Sequence, residues 1–482
     1  PSNRWGYFPA AALGWRMSEE AFLNDVDWLD NLKLRVSYGE VGNDGINSSL
    51  WSQNWEATSD KRYQGAVNGA FLPSYSLGAD MANKDLKWET TITRNIGVDF
   101  GFFNSRLTGT IDAYWNTTKD LLMKTAIPGI TGFTSTYANV GQTSNKGIEI
   151  ALQGVLVKTR DWNVTAGFNI NFNRGKVDKL ADNVTGLYGT EWATSSTFPK
   201  SDYVLKEGRP VGLVRGLTAD GFYTTDDFTY ENGVYTLKEG VADVSSAVFP
   251  NYHLHNGMNE RPAGQLAYPG MAKFKDLNDD GIINDDDVDV IGDMTPVHTG
   301  GFNINATYKN FDLGLYFNWS YGNEIYNVNK LAALYGYKEG AVYENKLSIV
   351  KDCYKIYDVV NGELVALTTP EQLNAANANA KLPLAYSENG YVSTLGIEDG
   401  SYLRLNTLTL GYTLPKSMLQ KAGISNLRVY GSIYNVFTIT GYSGIDAEVS
   451  TSTSTKTYPQ LGMDWGTYPR ARSFVLGVNL SF

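Results

Sequence analysis

Apolar and polar residues alternate with period two along much of the chain. From Asp312 to Ser320, Leu313, Leu315, Phe317 and Trp319 share one face, while Asp312, Gly314, Tyr316, Asn318 and Ser320 share the other. From Trp162 to Asn173, Trp162, Val164, Ala166, Phe168, Ile170 and Phe172 oppose six polar or glycine positions. His298–Lys309 and Phe474–Phe482 repeat the pattern. Successive side chains of a strand point to opposite faces, so a strand segregates such a sequence and a helix cannot. The pattern predicts about thirteen strands, near 7–17, 31–41, 88–103, 106–119, 137–157, 162–174, 201–206, 211–222, 297–308, 312–321, 401–413, 426–438 and 472–482.

Connection lengths carry the second signal. Tight turns are expected at Asn104-Ser105, Lys158–Asp161, Glu207–Pro210 and Lys309-Asn310. Long loops cover about 42–87, 175–200, 223–296, 322–400 and 439–471. Short turns on one side and long loops on the other describe a transmembrane antiparallel β-barrel. A pair of soluble β-sandwiches also alternates. Against that alternative stand strands longer than ten residues, polar faces rich in Asn, Thr, Gly and Ser, and Trp and Tyr at strand ends. The expectation is an all-β barrel portion spanning 1–482, placed in the outer membrane.

Composition narrows the functions. The 482 residues include 31 Tyr, 20 Phe, 11 Trp and 49 Gly, a mix that suits strands and turns. A net charge of -11 argues against nucleic acid as a partner. The single Cys353 leaves no disulfide framework and reads as a buried loop thiol. Three histidines leave little for metal or nucleophile chemistry, and His253 with His255 lack a nearby third ligand for zinc. No Ser/His/Asp set, phosphate-cradling loop or paired-carboxylate signature marks an enzyme. The chain opens at Pro1 without a Met and is expected to be the C-terminal part of a longer polypeptide.

Two features carry candidate chemistry. Asp276, Asn278 and Asp280 stand at positions 1, 3 and 5 of a twelve-residue calcium loop; Gly281 takes the sharp turn and Ile282 offers a carbonyl. Asn284 takes position 9 and Asp287 closes position 12. The expected role of Ca²⁺ is structural; the alternative is a solvated acidic turn. The surrounding 219–296 segment is strongly acidic, which reads as a solvated loop or as a charge filter at a mouth. Trp51, Trp55, Trp192 and Trp465, with Tyr63, Tyr75 and Tyr458, fall in predicted loops, where rings either contact a substrate or pack loops together.

Several ordered motifs resemble SusC/RagA-type TonB-dependent transporters. They are Asn3-Arg4-Trp5-Gly6-Tyr7-Phe8-Pro9, Gly14-Trp15-Arg16 with Ser18-Glu19-Glu20, and Leu29–Arg35 running into Ser37-Tyr38-Gly39. Asn145–Glu149, Phe274–Asn278, Gly300–Asn303 and Tyr468-Pro469-Arg470 through Phe482 continue the resemblance, and the terminal Phe482 is similar to an outer-membrane assembly signal. The resemblance implies a 22-stranded barrel of which this chain supplies the last strands, with the plug and TonB-contacting box upstream. It implies import of glycan oligosaccharides or oligopeptides with a SusD-like lipoprotein lid, in a dimer of transporter–lid pairs. Alternatives are a passive structural or adhesive barrel with calcium-pinned loops, and a soluble calcium-binding β protein.

Overall fold

A computed structural model describes residues 3 and 5–482, apart from 46–49, 54, 59–64, 69, 73, 79, 183, 196, 250–260, 335–345, 386–389, 420–422 and 452–459. Eleven long strands follow one another as antiparallel neighbours in chain order. They are β1 (Ala10–Arg16), β2 (Leu29–Asn43), β3 (Glu89–Phe102), β4 (Leu107–Ala126), β5 (Ser135–Lys158), β6 (Trp162–Lys179), β7 (His298–Tyr308), β8 (Phe311–Tyr321), β9 (Tyr402–Thr413), β10 (Asn426–Thr440) and β11 (Ser473–Ser481). The short strand Asp80–Met81 adds to the sheet alongside the start of β5.

Register turns the sequence alternation into two continuous faces. One row runs Val98, Ile111, Ile150, Ile170, Gly300, Trp319, Leu403 and Ile439 from strand to strand. Beside it Phe168, Phe302, Phe317 and Leu405 form another. Phe302 and Phe317 stack at 4.3 Å. The opposite face carries Gly167, Asn303, Tyr316 and Thr407 in register. Phe317 and Trp319 thus lie on the apolar face and Tyr316 and Asn318 on the polar one.

Aromatic rings bound the apolar face at both ends. Trp162–Tyr308 and Phe311–Tyr412 pair at 4.4 and 4.7 Å at the short-turn end. His298, Trp319 and Tyr321 gather at the other. The eleven residues of β7 between these belts extend about 33 Å at roughly 3.3 Å per residue. A tilt of about 40° reduces that to about 25 Å, the height of an outer-membrane apolar band.

Two predicted strands do not join this wall. Tyr203–Leu205 and Leu213–Gly216 belong instead to a four-stranded sheet with Leu187–Gly189 and Asp289–Asp293. Tyr203, Val204, Leu213 and Val214 are all buried, neighbours included. A wall strand leaves one face to lipid; these strands are covered on both faces, which calls for a continuous apolar run. The expected loops 175–200 and 223–296 therefore form one connection, 180–297. The remaining long connections are 44–88, 322–401 and 441–472, with a short one at 127–134 that shares their side.

The short turns show local causes. Asn104 and Ser105 hold φ of 56° and 57°, as a tight hairpin demands. Residues Met17–Glu19 form a 3-10 turn with Arg16 at its N-cap position and no side-chain cap. Lys416–Leu419 form one helical turn before Gly423 at φ +67°.

The buried core lies outside the wall, in the long connections. Tyr223, Tyr235, Tyr268, Ile283, Leu373 and Tyr391 anchor the larger cluster. A second gathers Tyr203, Val214, Tyr326, Leu331 and Met463. Segments 180–297 and 322–401 are laced together: Leu217 N–H donates to Val392 O, Leu384 N–H to Gly270 O, and Tyr235 Oη to Thr368 O. The third connection joins through Met463–Asp464, parallel to Tyr326–Asn327, and through Tyr203 Oη donating to Leu461 O at 2.8 Å. We call this folded assembly of loops the cap.

Candidate functional site

The polar face is rich in amides and hydroxyls, and several of its charges are held in ion pairs. Asn116 stands opposite Asn145, Glu149 opposite Asn171, and Gln153 opposite Gly167. Tyr114 Oη donates to Asn173 Oδ1 at 2.8 Å. Arg35 reaches both Asp99 (2.9 Å) and Asp112 (3.0 Å), tying β2, β3 and β4. Arg428 Nε donates to Asp312 Oδ1 at 2.8 Å, linking β10 to β8 across β9. Such pairs offset the charges they hold, while amides and hydroxyls can exchange hydrogen bonds with a solute.

The cap is fastened to the wall by a buried ion network. Arg404 on β9 bonds Asp446 and Thr438 Oγ1, and lies 3.3 Å from Glu448. Arg470 closes the set against Asp446 at 3.3 Å and Glu448 at 2.9 Å. Arg404 and Asp446 side chains are 3% and 6% exposed, so each ion depends on the other for its charge.

Within the cap, Asp202 is fully buried and accepts from the amides of Glu191, Trp192 and Ala193 at 2.8, 2.8 and 3.0 Å. Burial pushes its carboxyl up, opposed by those amides. Cys353 is buried, and burial raises its thiol to about 11. Only the thiolate is nucleophilic. Iodoacetamide is therefore expected to label Cys353 slowly at pH 8.5 in the folded protein and rapidly after denaturation; equal rates, read by intact mass, would contradict the buried position.

The acidic loop folds in upon itself. Asp276 accepts from Asp280 N–H and from Gly281 N–H, the latter at 2.7 Å. Asn278 Oδ1 accepts from Asp280 N–H, and Asn278 Nδ2 donates to Asp280 Oδ2. Asp287 is fully buried and accepts from Leu277 N–H at 2.7 Å and Asn284 N–H at 2.8 Å. Asn284 Nδ2 donates to Ile282 O at 3.2 Å. Gly281 takes φ +84°, the left-handed turn that position 6 requires. Among the described residues no three His, Cys, Asp or Glu side chains converge closely enough to hold a metal by themselves. A calcium here would draw also on Asn and carbonyl oxygens, as hard-cation loops do. Backbone bonds from Asp243 N–H to Gly281 O and Ser245 N–H to Ile283 O tie the loop to the cap core.

The four candidate tryptophans separate. Trp192 packs edge-on to Tyr326 at 6.4 Å beside the second core cluster, so it is a packing residue. Trp51, Trp55 and Trp465 are 39%, 66% and 49% exposed, the first two on 44–88 and the third on 441–472. Tyr75 is also exposed. Tyr63, Tyr458, His253 and His255 lie outside the described residues. The cap tyrosines, Asp202 and the Arg404 network escaped the sequence reading; the density of aromatics in 198–274 was the available signal.

Residues 1–436 match the model of the TonB dependent receptor-like β-barrel family. The chain belongs to that family. It is 30% identical over 490 residues to TonB-dependent receptor P3 of Formosa agariphila, covering 100% of this chain and 42% of the relative. It is also 30% identical over 489 residues to TonB-dependent receptor SusC of Bacteroides thetaiotaomicron, covering 100% and 40%. The solved RagAB peptide transporter shares 23% identity and a TM-score of 0.70, over 100% of this chain and 44% of that one. The chain thus spans about two fifths of the relatives it matches. As a TonB-dependent receptor barrel it resides in the outer membrane. Its apolar face meets lipid, and barrels of this kind turn their short connections to the periplasm and their long ones to the cell exterior.

Proposed function

We propose that the chain forms the lumen wall and outer cap of a TonB-energised importer of hydrophilic oligomers, glycan or peptide. The observation that carries this is the continuous polar face, amide-rich across the strands, in a chain similar throughout to SusC and to the fold of a peptide transporter. Such a wall suits a solute that trades water for many weak hydrogen bonds. A SusD-like lipoprotein docks on the cap and closes over the mouth, in a dimer of such pairs. The exposed Trp51, Trp55 and Trp465 contact cargo or lid at that mouth. The test is uptake of labelled oligosaccharides and oligopeptides by cells expressing the complete protein, with and without TonB. TonB-dependent uptake of one class is expected; equal uptake without TonB would favour a passive display barrel.

We further propose that Asp276, Asn278, Asp280, Asp287, the Ile282 carbonyl and Asn284 hold a structural Ca²⁺ in the cap. Support comes from the loop's donor set, the Gly281 turn and the six carboxylates within the loop, which repel one another without a cation. Ligands that bind only the folded state raise its stability by mass action. Calcium is therefore expected to protect 270–293 from proteolysis in the wild type and not in Asp280→Ala, with barrel assembly intact in both. Protection unchanged by a chelator would remove the site.

A further inference from the structure

The apolar face has a groove of about 590 Å³ near its outer rim. Leu403 on β9 is its floor, and Trp319 on β8 and Ile439 on β10 are its sides. Gly300 opens it. A Cβ there would lie 2.4 Å from Trp319 Cζ2 and 2.4 Å from the backbone oxygen of Asn169, so only glycine lets both the indole and β6 approach β7 this closely. The ring stacks on Phe168 at 5.7 Å and 29°. Trp319 Nε1–H donates to His298 Nδ1 at 3.1 Å, and His298 stacks on Tyr321 at 5.0 Å and 18°. The indole is thus held away from Leu403, and Ile439 on the far side is 62% exposed.

We propose that this groove retains one acyl chain of a diacyl membrane lipid. The groove is continuous with the band of apolar residues that meets the membrane, which makes a lipid its occupant; the inference needs the membrane placement and not the transport activity. Lipid tails are as apolar as leucine, so burial alone does not favour this site over the bulk bilayer. Two other features do. The walls are rings already fixed by stacking and a hydrogen bond, so a chain gains contacts without reorganising them. The mouth also offers hydrogen bonds where water is scarce. His298 accepts at Nδ1, which leaves Nε2–H as a donor for an ester carbonyl or hydroxyl. Asp399 at the same mouth disfavours a phosphate and selects the neutral part of the head group.

The experiment is native mass spectrometry of the complete protein, purified from outer membranes and titrated with a diacyl phosphatidylethanolamine. The wild type is expected to keep one lipid at activation energies that strip the rest. Leu403→Trp fills the groove from its floor and Ile439→Trp from its side; each is expected to lose that lipid. Leu410→Trp, elsewhere on the apolar face, is expected to keep it. A heat-modifiable band on a denaturing gel reports assembly of each. Equal lipid counts in all four assembled proteins would overturn the proposal. So would a retained mass belonging to detergent alone or to the acylated end of a lipoprotein.

Discussion

Leu315→Arg is expected to sharply reduce the amount of folded barrel in outer membranes. Leu315 sits mid-strand on the apolar face, between Ile304 and Leu408. A cation near the bilayer midplane costs about 2–4 kcal/mol. The neighbouring Tyr316, on the polar face, provides the control: Tyr316→Arg is expected to assemble normally. Heat-modifiable migration of both variants distinguishes them. Normal yield of Leu315→Arg would mean that the apolar face does not meet lipid.

The period-two code behind that prediction was readable because it is local. Each residue's face follows from its neighbour's, and register then needs only tight turns such as Asn104-Ser105. The cap was not readable for the opposite reason. Tyr223, Tyr268 and Tyr391 look in sequence like loop aromatics, and what buries them arrives from the far side of the β7–β8 hairpin. Tyr203–Leu205 shows the ambiguity at its sharpest. A short apolar run reads as a strand whatever covers it, and only the fold reveals that both of its faces are covered. The acidic loop was legible only as a spacing, and the structure adds that Asp287 accepts from two backbone amides.

The second large effect is expected at Arg404. Arg404→Ala leaves Asp446 buried against Glu448 with only the half-exposed Arg470 for balance. Removing one partner from a buried ion pair costs about 3–5 kcal/mol. The loss falls on connection 441–472, because β9 keeps its backbone ladder to β8 and β10. Limited proteolysis should therefore cut this connection much faster in the variant while the barrel still migrates as folded. Adding Asp446→Asn should recover part of the resistance, since the orphaned charge goes with it. A variant as resistant as the wild type would show that the network does not fasten the cap.

The lacing of segment 180–297 to segment 322–401 also sets a schedule for biogenesis. Leu217, Gly270 and Tyr235 cannot find Val392, Leu384 and Thr368 until β7 and β8 have been delivered between them. Both segments must therefore reach the cell exterior as open chain, each exposing tyrosines that end up dry. Contacts so distant in sequence form late, because closing the intervening loop comes before any gain. The barrel wall can zip hairpin by hairpin, whereas the cap has to wait for its last strand of chain. For that interval the surface protein is open to extracellular proteases and to its neighbours' sticky loops. A pulse-chase with protease added outside the cell would catch it as a transient, cap-sensitive and wall-resistant form.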